Sequence, residues 1–141
     1  MRALNSMDCS LHLMDERMKQ SIESARGASQ MLKKRAALEE EYAQGLKKIS
    51  RTAMSDYTGN DVRAGTYGSS WVHMIKNQDI LSENHFRFAS KLTNISDDIA
   101  SLVYDAEQHR KQSRDLGFRL EKSLLEAESA ADRARLRLDS T

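Results

Sequence analysis

From Trp71 onward, a mostly apolar series returns at alternating steps of three and four: Trp71, Met74, Gln78, Leu81, His85, Phe88, Leu92, Ile95, Ile99, Leu102, Ala106, His109, Ser113, Leu116 and Leu120. A strand would alternate every second residue, so this spacing predicts helix, and its persistence over many heptads predicts a coiled-coil-like seam. The chain contains no proline that could interrupt it. The pattern predicts a long helix over about 71–140, on the order of 105 Å from end to end. Near Leu124 the series shifts by one residue, to Leu124, Ala127, Ala131, Ala134 and Leu138, which is where a bend or a change of partner helix would fall. Gln78, His85, His109 and Ser113 occupy seam positions; polar residues there cost stability but fix register or strand number.

An earlier segment has the same character. Leu11, Met14, Met18, Ile22 and Ala25 share one helical face, and Ala28, Met31, Leu32, Leu38, Tyr42, Leu46 and Ile49 continue it. This predicts a helix over about 11–54, with Gly27 and Gly45 tolerated inside it. Between the helices, the stretch 55–70 (SDYTGNDVRAGTYGSS) holds Gly59, Gly65 and Gly68, Asn60, Asp61 and several hydroxyls, which is loop chemistry. Ser69 or Ser70 is the expected N-cap of the second helix. The fold class is therefore all-α: an elongated antiparallel hairpin of two helices. Neither helix is stable at this length without burying its stripe. Helical composition still runs at Thr141, so a fragment, or a chain that completes its core with a partner, is expected.

Composition narrows the function. Of 141 residues, 30% are charged and 6% aromatic, while 39% are hydrophobic, which is too many for simple disorder. The formal charge of +1 means that any electrostatic role must come from where the charges sit. Cys9 is the single cysteine, which excludes an intrachain disulfide framework and fits a reducing cytoplasmic setting. No run reaches the roughly 18 apolar residues of a membrane span, and the N-terminus lacks the apolar core of a signal peptide.

No constellation points to catalysis, a metal or a cofactor. His12, His73, His85 and His109 have no metal-ligand spacing. Glu39, Glu40 and Glu41 are consecutive on a helix and point in different directions, so they fit solvation or pairing with Lys and Arg rather than acid/base work. The glycines between Gly59 and Gly68 lack the order of a phosphate-binding loop. The remaining signal is basic: Lys33, Lys34 and Arg35, then Lys47, Lys48 and Arg51, then Arg110, Lys111 and Arg114. Balanced charge and the absence of interleaved aromatic residues argue against nucleic acid. A row of cations on a rigid helical rod suits an anionic bilayer, at about 1 kcal/mol per basic residue near the surface.

The stretch MLKKRAALEEEYAQGLKKI, Met31 to Ile49, resembles the opening signature of F-BAR domains (the Fes/CIP4 homology region). Lys33, Arg35, Leu38, Glu39, Tyr42, Ala43, Leu46 and Ile49 match it in order and spacing. Gly65-Thr66 and Trp71 resemble the entry to the next F-BAR helix, and His85 to Leu92 (HFRFASKL) and the Arg110-Lys111 pair resemble later features. The late segment RLEKSLLEAESAADRARLRLDS is most similar to fungal F-BAR proteins with a RhoGAP domain further on.

The resemblance implies a non-enzymatic module that forms a homodimer. It implies binding to phosphatidylserine and phosphoinositides on the cytosolic face of the plasma membrane, with curvature sensed or imposed. Work in cytokinesis, endocytosis and actin or Rho processes at the cell cortex would follow. By position, Lys33, Arg35, Arg51, Arg110 and Lys111 would face lipid; Lys47 and Arg114 join them from charge clustering. F-BAR domains run to about twice this length and contain a further long helix, so the N-terminal portion of such a domain is expected. The rival is a coiled-coil scaffold that binds only protein.

Overall fold

A computed structural model describes residues 2–59 and 66–139, with side chains over 11–58 and 67–138. Among these residues the chain is entirely helical: α1 spans Arg2–Gly59 and α2 spans Thr66–Asp139. Both helices outrun their expected bounds. α1 continues past Met54, and the Thr58 hydroxyl turns back onto the Met54 and Ser55 carbonyls, each at 3.0 Å. α2 begins before Trp71, so Ser69 and Ser70 lie inside it and neither is its N-cap. The remainder of the expected loop, residues 60–65, lies outside the described residues.

The helices pack against each other in two compact units, one of residues 26–100 and one of residues 1–25 with 101–141. In the first, small residues hold the seam. The Ser29 hydroxyl donates to the Ser96 carbonyl at 2.9 Å, and the Ser96 hydroxyl donates to the Ser29 carbonyl at 2.9 Å. Ser82 donates to the Ala43 carbonyl at 2.7 Å, and Ser50 to the Ile75 carbonyl at 3.2 Å. As numbers rise along α1 they fall along α2, so the pairing is antiparallel, and each helix advances in steps of seven. That register sets buried Ala36 opposite buried Ala89. Hydroxyls reach main-chain carbonyls of the other helix because Ser and Ala hold little volume between the backbones.

The buried seam of α2 is therefore Ile75, Ser82, Ala89, Ser96 and, in the other unit, Val103. This corrects half of the expected heptad series. Leu92 is buried, and Trp71, Gln78, His85, Ile99 and Ala106 are half-buried, but Met74, Leu81, Phe88, Ile95, Leu102, His109, Ser113, Leu116 and Leu120 are exposed. On α1, Ile22, Ala36, Ala43 and Ser50 are buried, whereas Leu11, Met14, Met31, Leu38, Tyr42 and Ile49 are exposed. The physical reason is size: with two helices, the small positions permit the close approach and the large ones are left on an outer face.

The second unit is built differently. Ile22 and Val103 are its buried apolar residues, and an ion pair closes the next layer. Arg110 Nη1 donates to both Asp15 carboxylate oxygens, at 2.9 and 3.0 Å, and Nη2 donates to Glu107 at 3.2 Å. Past Glu121 every described side chain of α2 is exposed, so the register shift at Leu124 falls where α1 gives no cover.

Candidate functional site

Within residues 26–100, one side of the helix pair is apolar. Met31, Leu38, Tyr42 and Ile49 of α1 and Met74, Leu81, Phe88 and Ile95 of α2 are all exposed there, turned away from the inner seam. A polar cluster is set into this side. Glu39 is only 5% exposed, and its Oε2 lies 2.6 Å from His85 Nδ1. Its Oε1 accepts from Arg35, one helical turn back. The His85 ring meets Tyr42 edge-on, with centroids 4.8 Å apart. The hydrogen bond with His85, helped by the charge and hydrogen bond of Arg35, holds the Glu39 carboxyl below the usual glutamate range against the opposing effect of burial. Glu40 and Glu41 are exposed, so the acidic triplet divides as its angular spacing requires.

The other side of the same unit carries most of the candidate cations, with carboxylates among them. Arg26, Lys33 and Lys47 recur along α1 in steps of seven or its double, exposed Glu40 holds the intervening step, and Arg51 lies one turn beyond Lys47. Arg26, Lys33, Lys48 and Arg51 are exposed, and Lys47 is half-buried with its Nζ 5.9 Å from the centre of the Phe86 ring. Gln44, Lys47, Lys48, Arg51, Thr52 and Phe86 enclose a concavity of about 300 Å³ on this side. A separate concavity of about 240 Å³ opens at Arg35, Leu38, Glu39, Tyr42 and His85.

The expected lipid-facing residues thus part company. Lys33, Lys47 and Arg51 share the basic side. Arg35 does not: its side chain is 60% exposed but it pairs with Glu39 on the apolar side. Arg110 is a correction as well. Its side chain is 13% exposed and is held by Glu107 and Asp15, whose hydrogen bonds raise its pKa above the ordinary arginine value against the opposing effect of burial; this cation is part of the helix packing. Lys111 and Arg114 are exposed in the second unit, where Arg114 borders an apolar groove of about 420 Å³ walled by Leu11, Met14, Met18 and Phe118. Sequence reasoning passed over Arg26 and Phe86, and named Lys48 among the clustered cations without assigning it to lipid; the seven-residue step from Arg26 to Lys33 was the signal available for the first.

The antiparallel helix pair, with a basic side and an exposed apolar side, defines an all-α association module. Residues 10–87 match the Fes/CIP4, and EFC/F-BAR homology domain, so the chain belongs to that family, whose domains bind membranes, dimerise and are not themselves catalytic. Two curated relatives are similar. "GTPase activating protein homolog 2" of Dictyostelium discoideum is 27% identical over 109 residues, covering 76% of this chain and 12% of the relative. "Probable Rho-GTPase-activating protein 7" of Schizosaccharomyces pombe is 21% identical over 135 residues, covering 96% of this chain and 19% of the relative. The chain therefore spans less than a fifth of the length of either. No solved structure matches it significantly. No described helix is long and apolar enough to cross a membrane.

Proposed function

We propose that this chain docks peripherally on anionic bilayers through the basic side of residues 26–100. Lys33, Lys47 and Arg51 are the principal lipid-facing residues, supported by Arg26 and Lys48, and Lys111 and Arg114 act as further contacts from the second unit. The observation that carries the reading is the absence of ion pairs at Lys33, Lys47, Lys48 and Arg51 among the described residues, whereas Arg35, Arg87 and Arg110 are each committed to a carboxylate. Three principal cations at about 1 kcal/mol each give on the order of 3 kcal/mol of attraction to a phosphatidylserine- or phosphoinositide-bearing surface. A second copy of the chain covers the apolar side, making the homodimer. In a longer protein, the module carries a Rho-GTPase-activating region to the cytosolic face of the plasma membrane, where cortical actin, cytokinesis or endocytosis would be controlled.

The exposed apolar side also suits a scaffold that associates only with protein, and vesicle sedimentation separates the two readings. The chain should pellet with phosphatidylserine-containing vesicles, stay in solution with pure phosphatidylcholine, and be released as salt rises and the Debye length falls from about 10 Å at 0.1 M towards 3 Å at 1 M. Failure to pellet with either vesicle would leave the scaffold.

A further inference from the structure

We infer that covering of the apolar side by a second copy is coupled to release of a proton from His85, so that the homodimer loosens as the medium acidifies. The inference rests on the homodimer reading and deepens it, because the face that associates is also the face that holds the titrating group.

His85 stands within the apolar stripe of α2. Leu81 lies one turn before it and Phe88 one turn after, and both are exposed. A surface that covers those two side chains therefore covers the imidazole as well. From α1, Leu38 and Tyr42 wall the same concavity of about 240 Å³ as His85, Arg35 and Glu39. The His85 side chain is 28% exposed in the uncovered helix pair. Solvent that reaches it there is excluded once the side is buried.

The charges around the ring decide the direction of the effect. From α1, the groups that face His85 are Glu39, Arg35 and Tyr42, the last holding the ring edge-on with centroids 4.8 Å apart. On α2 the nearest charged residues are Glu83 and Arg87. They lie two positions to either side, on a different face of the helix, and pair with each other at 3.9 Å. Among the described residues the cluster is thus one carboxylate, one guanidinium and one imidazole. Both oxygens of the nearly buried Glu39 are engaged, Oε1 by Arg35 and Oε2 by His85. The His85 hydrogen bond, with Arg35 adding to it, holds this carboxyl below the usual glutamate range, so it stays ionised near neutrality. An ionised carboxylate only accepts, so Nδ1 of His85 carries a hydrogen and donates it. The proton that charges the ring goes to Nε2.

With the ring neutral, Glu39 balances Arg35 and the cluster sums to zero. A proton on Nε2 adds a positive charge that no further carboxylate offsets. Water screens that charge while the side is open. Beneath the apolar side chains of a second copy the screening is lost, and an unbalanced charge there is costly. The covered state therefore binds fewer protons than the open one. Linkage then fixes the sign: association strengthens as pH rises and weakens as it falls. Imidazole ordinarily takes up its proton between about pH 5 and 8, which is the window in which the coupling operates.

Sedimentation velocity of the full chain, at fixed ionic strength, reads the dimer dissociation constant at two pH values. The dimer is expected to be about tenfold weaker at about pH 5.5 than at about pH 7.5, equivalent to about 1.4 kcal/mol. His85→Gln keeps a neutral donor for Glu39 and removes the titrating ring, so its dissociation constant should be the same at both. His85→Asn is a second variant of the same kind, and circular dichroism at each pH establishes that every protein remains helical. His73→Gln removes an exposed histidine of the same unit and should leave the tenfold response intact.

A dimer equally tight at both pH values, or tighter at the lower one, would overturn the coupling while leaving the homodimer standing. A response that persists in both His85 variants would overturn it too, since the proton would then belong to another group. No self-association at either pH would sink the homodimer reading and the coupling together.

Discussion

Two neighbouring stripes of α2, one residue apart in sequence, have opposite environments within residues 26–100. Ser82, Ala89 and Ser96 are 1–6% exposed against α1, while Leu81, Phe88 and Ile95 are 38–48% exposed on the outer side. The smaller residues are inside and the larger ones outside, the reverse of a simple hydrophobic ranking. Close approach explains the inner stripe: a serine hydroxyl reaches a carbonyl across the interface only if nothing bulky separates the backbones. The outer stripe is then apolar surface in excess of what this pair can bury, and such surface marks an association site. One helix thus carries a packed stripe and an exposed apolar stripe, distinguished by side-chain volume.

Substitutions across the two stripes test that division. The largest effect should come from Leu92→Asp, which puts an unpaired charge at a position buried against α1. It should cost more than about 4 kcal/mol and abolish cooperative unfolding by circular dichroism, whereas Ile95→Asp should retain helicity and instead reduce self-association in sedimentation velocity. Matching losses of helicity would erase the distinction between the stripes. Ala43→Leu comes next. Ala43 has no exposed surface, and the Ser82 hydroxyl must reach past it to its carbonyl, so the added volume should destabilise by about 1–3 kcal/mol in urea titration. A neutral or stabilising result would mean that the helices are not closely packed. Ser96→Ala removes one member of the reciprocal Ser29 pair and should cost about 1 kcal/mol, sharpening how much of the inner stripe is hydrogen bonding.

The smallest effect is in pH. Glu39 faces Arg35 on its own helix, and His85 and Tyr42 on the side exposed to solvent. Because its pKa is lowered on folding, its contribution is present above the ordinary glutamate value of 4.5 and is lost as pH falls through its own lower value. Acid titration of stability should therefore show a limb below that point that Glu39→Gln flattens; an unchanged acid limb would show that the cluster does not couple to folding.

Much of the fold was legible because periodicity is a strong signal: the all-α class, the two helices and the antiparallel pairing all follow from apolar spacing and one glycine-rich break. The choice of inner stripe was not legible, since a heptad pattern identifies large apolar residues and says little about Ser82 or Ser96, whose burial depends on how closely the helices approach. The helix ends near Gly59 and Thr66 were missed because the glycines and hydroxyl residues that signal a loop in a sequence are also accommodated inside helices, as Ser69 and Ser70 are in α2. Among the candidate cations, Lys47 and Arg51 were readable from clustering. The removal of Arg110 into the packing was not, since Asp15 lies far away in sequence and meets it only through the antiparallel register.

The central claim is that the basic side, and not the apolar one, meets the membrane, and Lys33 and Arg35 test it most directly. They are separated by one residue, carry the same charge and stand on opposite sides of the helix pair. Partition of Lys33→Gln and Arg35→Gln to phosphatidylserine vesicles at low salt is the measurement. The account predicts about a fivefold loss for Lys33→Gln, from about 1 kcal/mol of lost attraction, and binding unchanged for Arg35→Gln. Equal losses for the two, or a loss confined to Arg35→Gln, would contradict it.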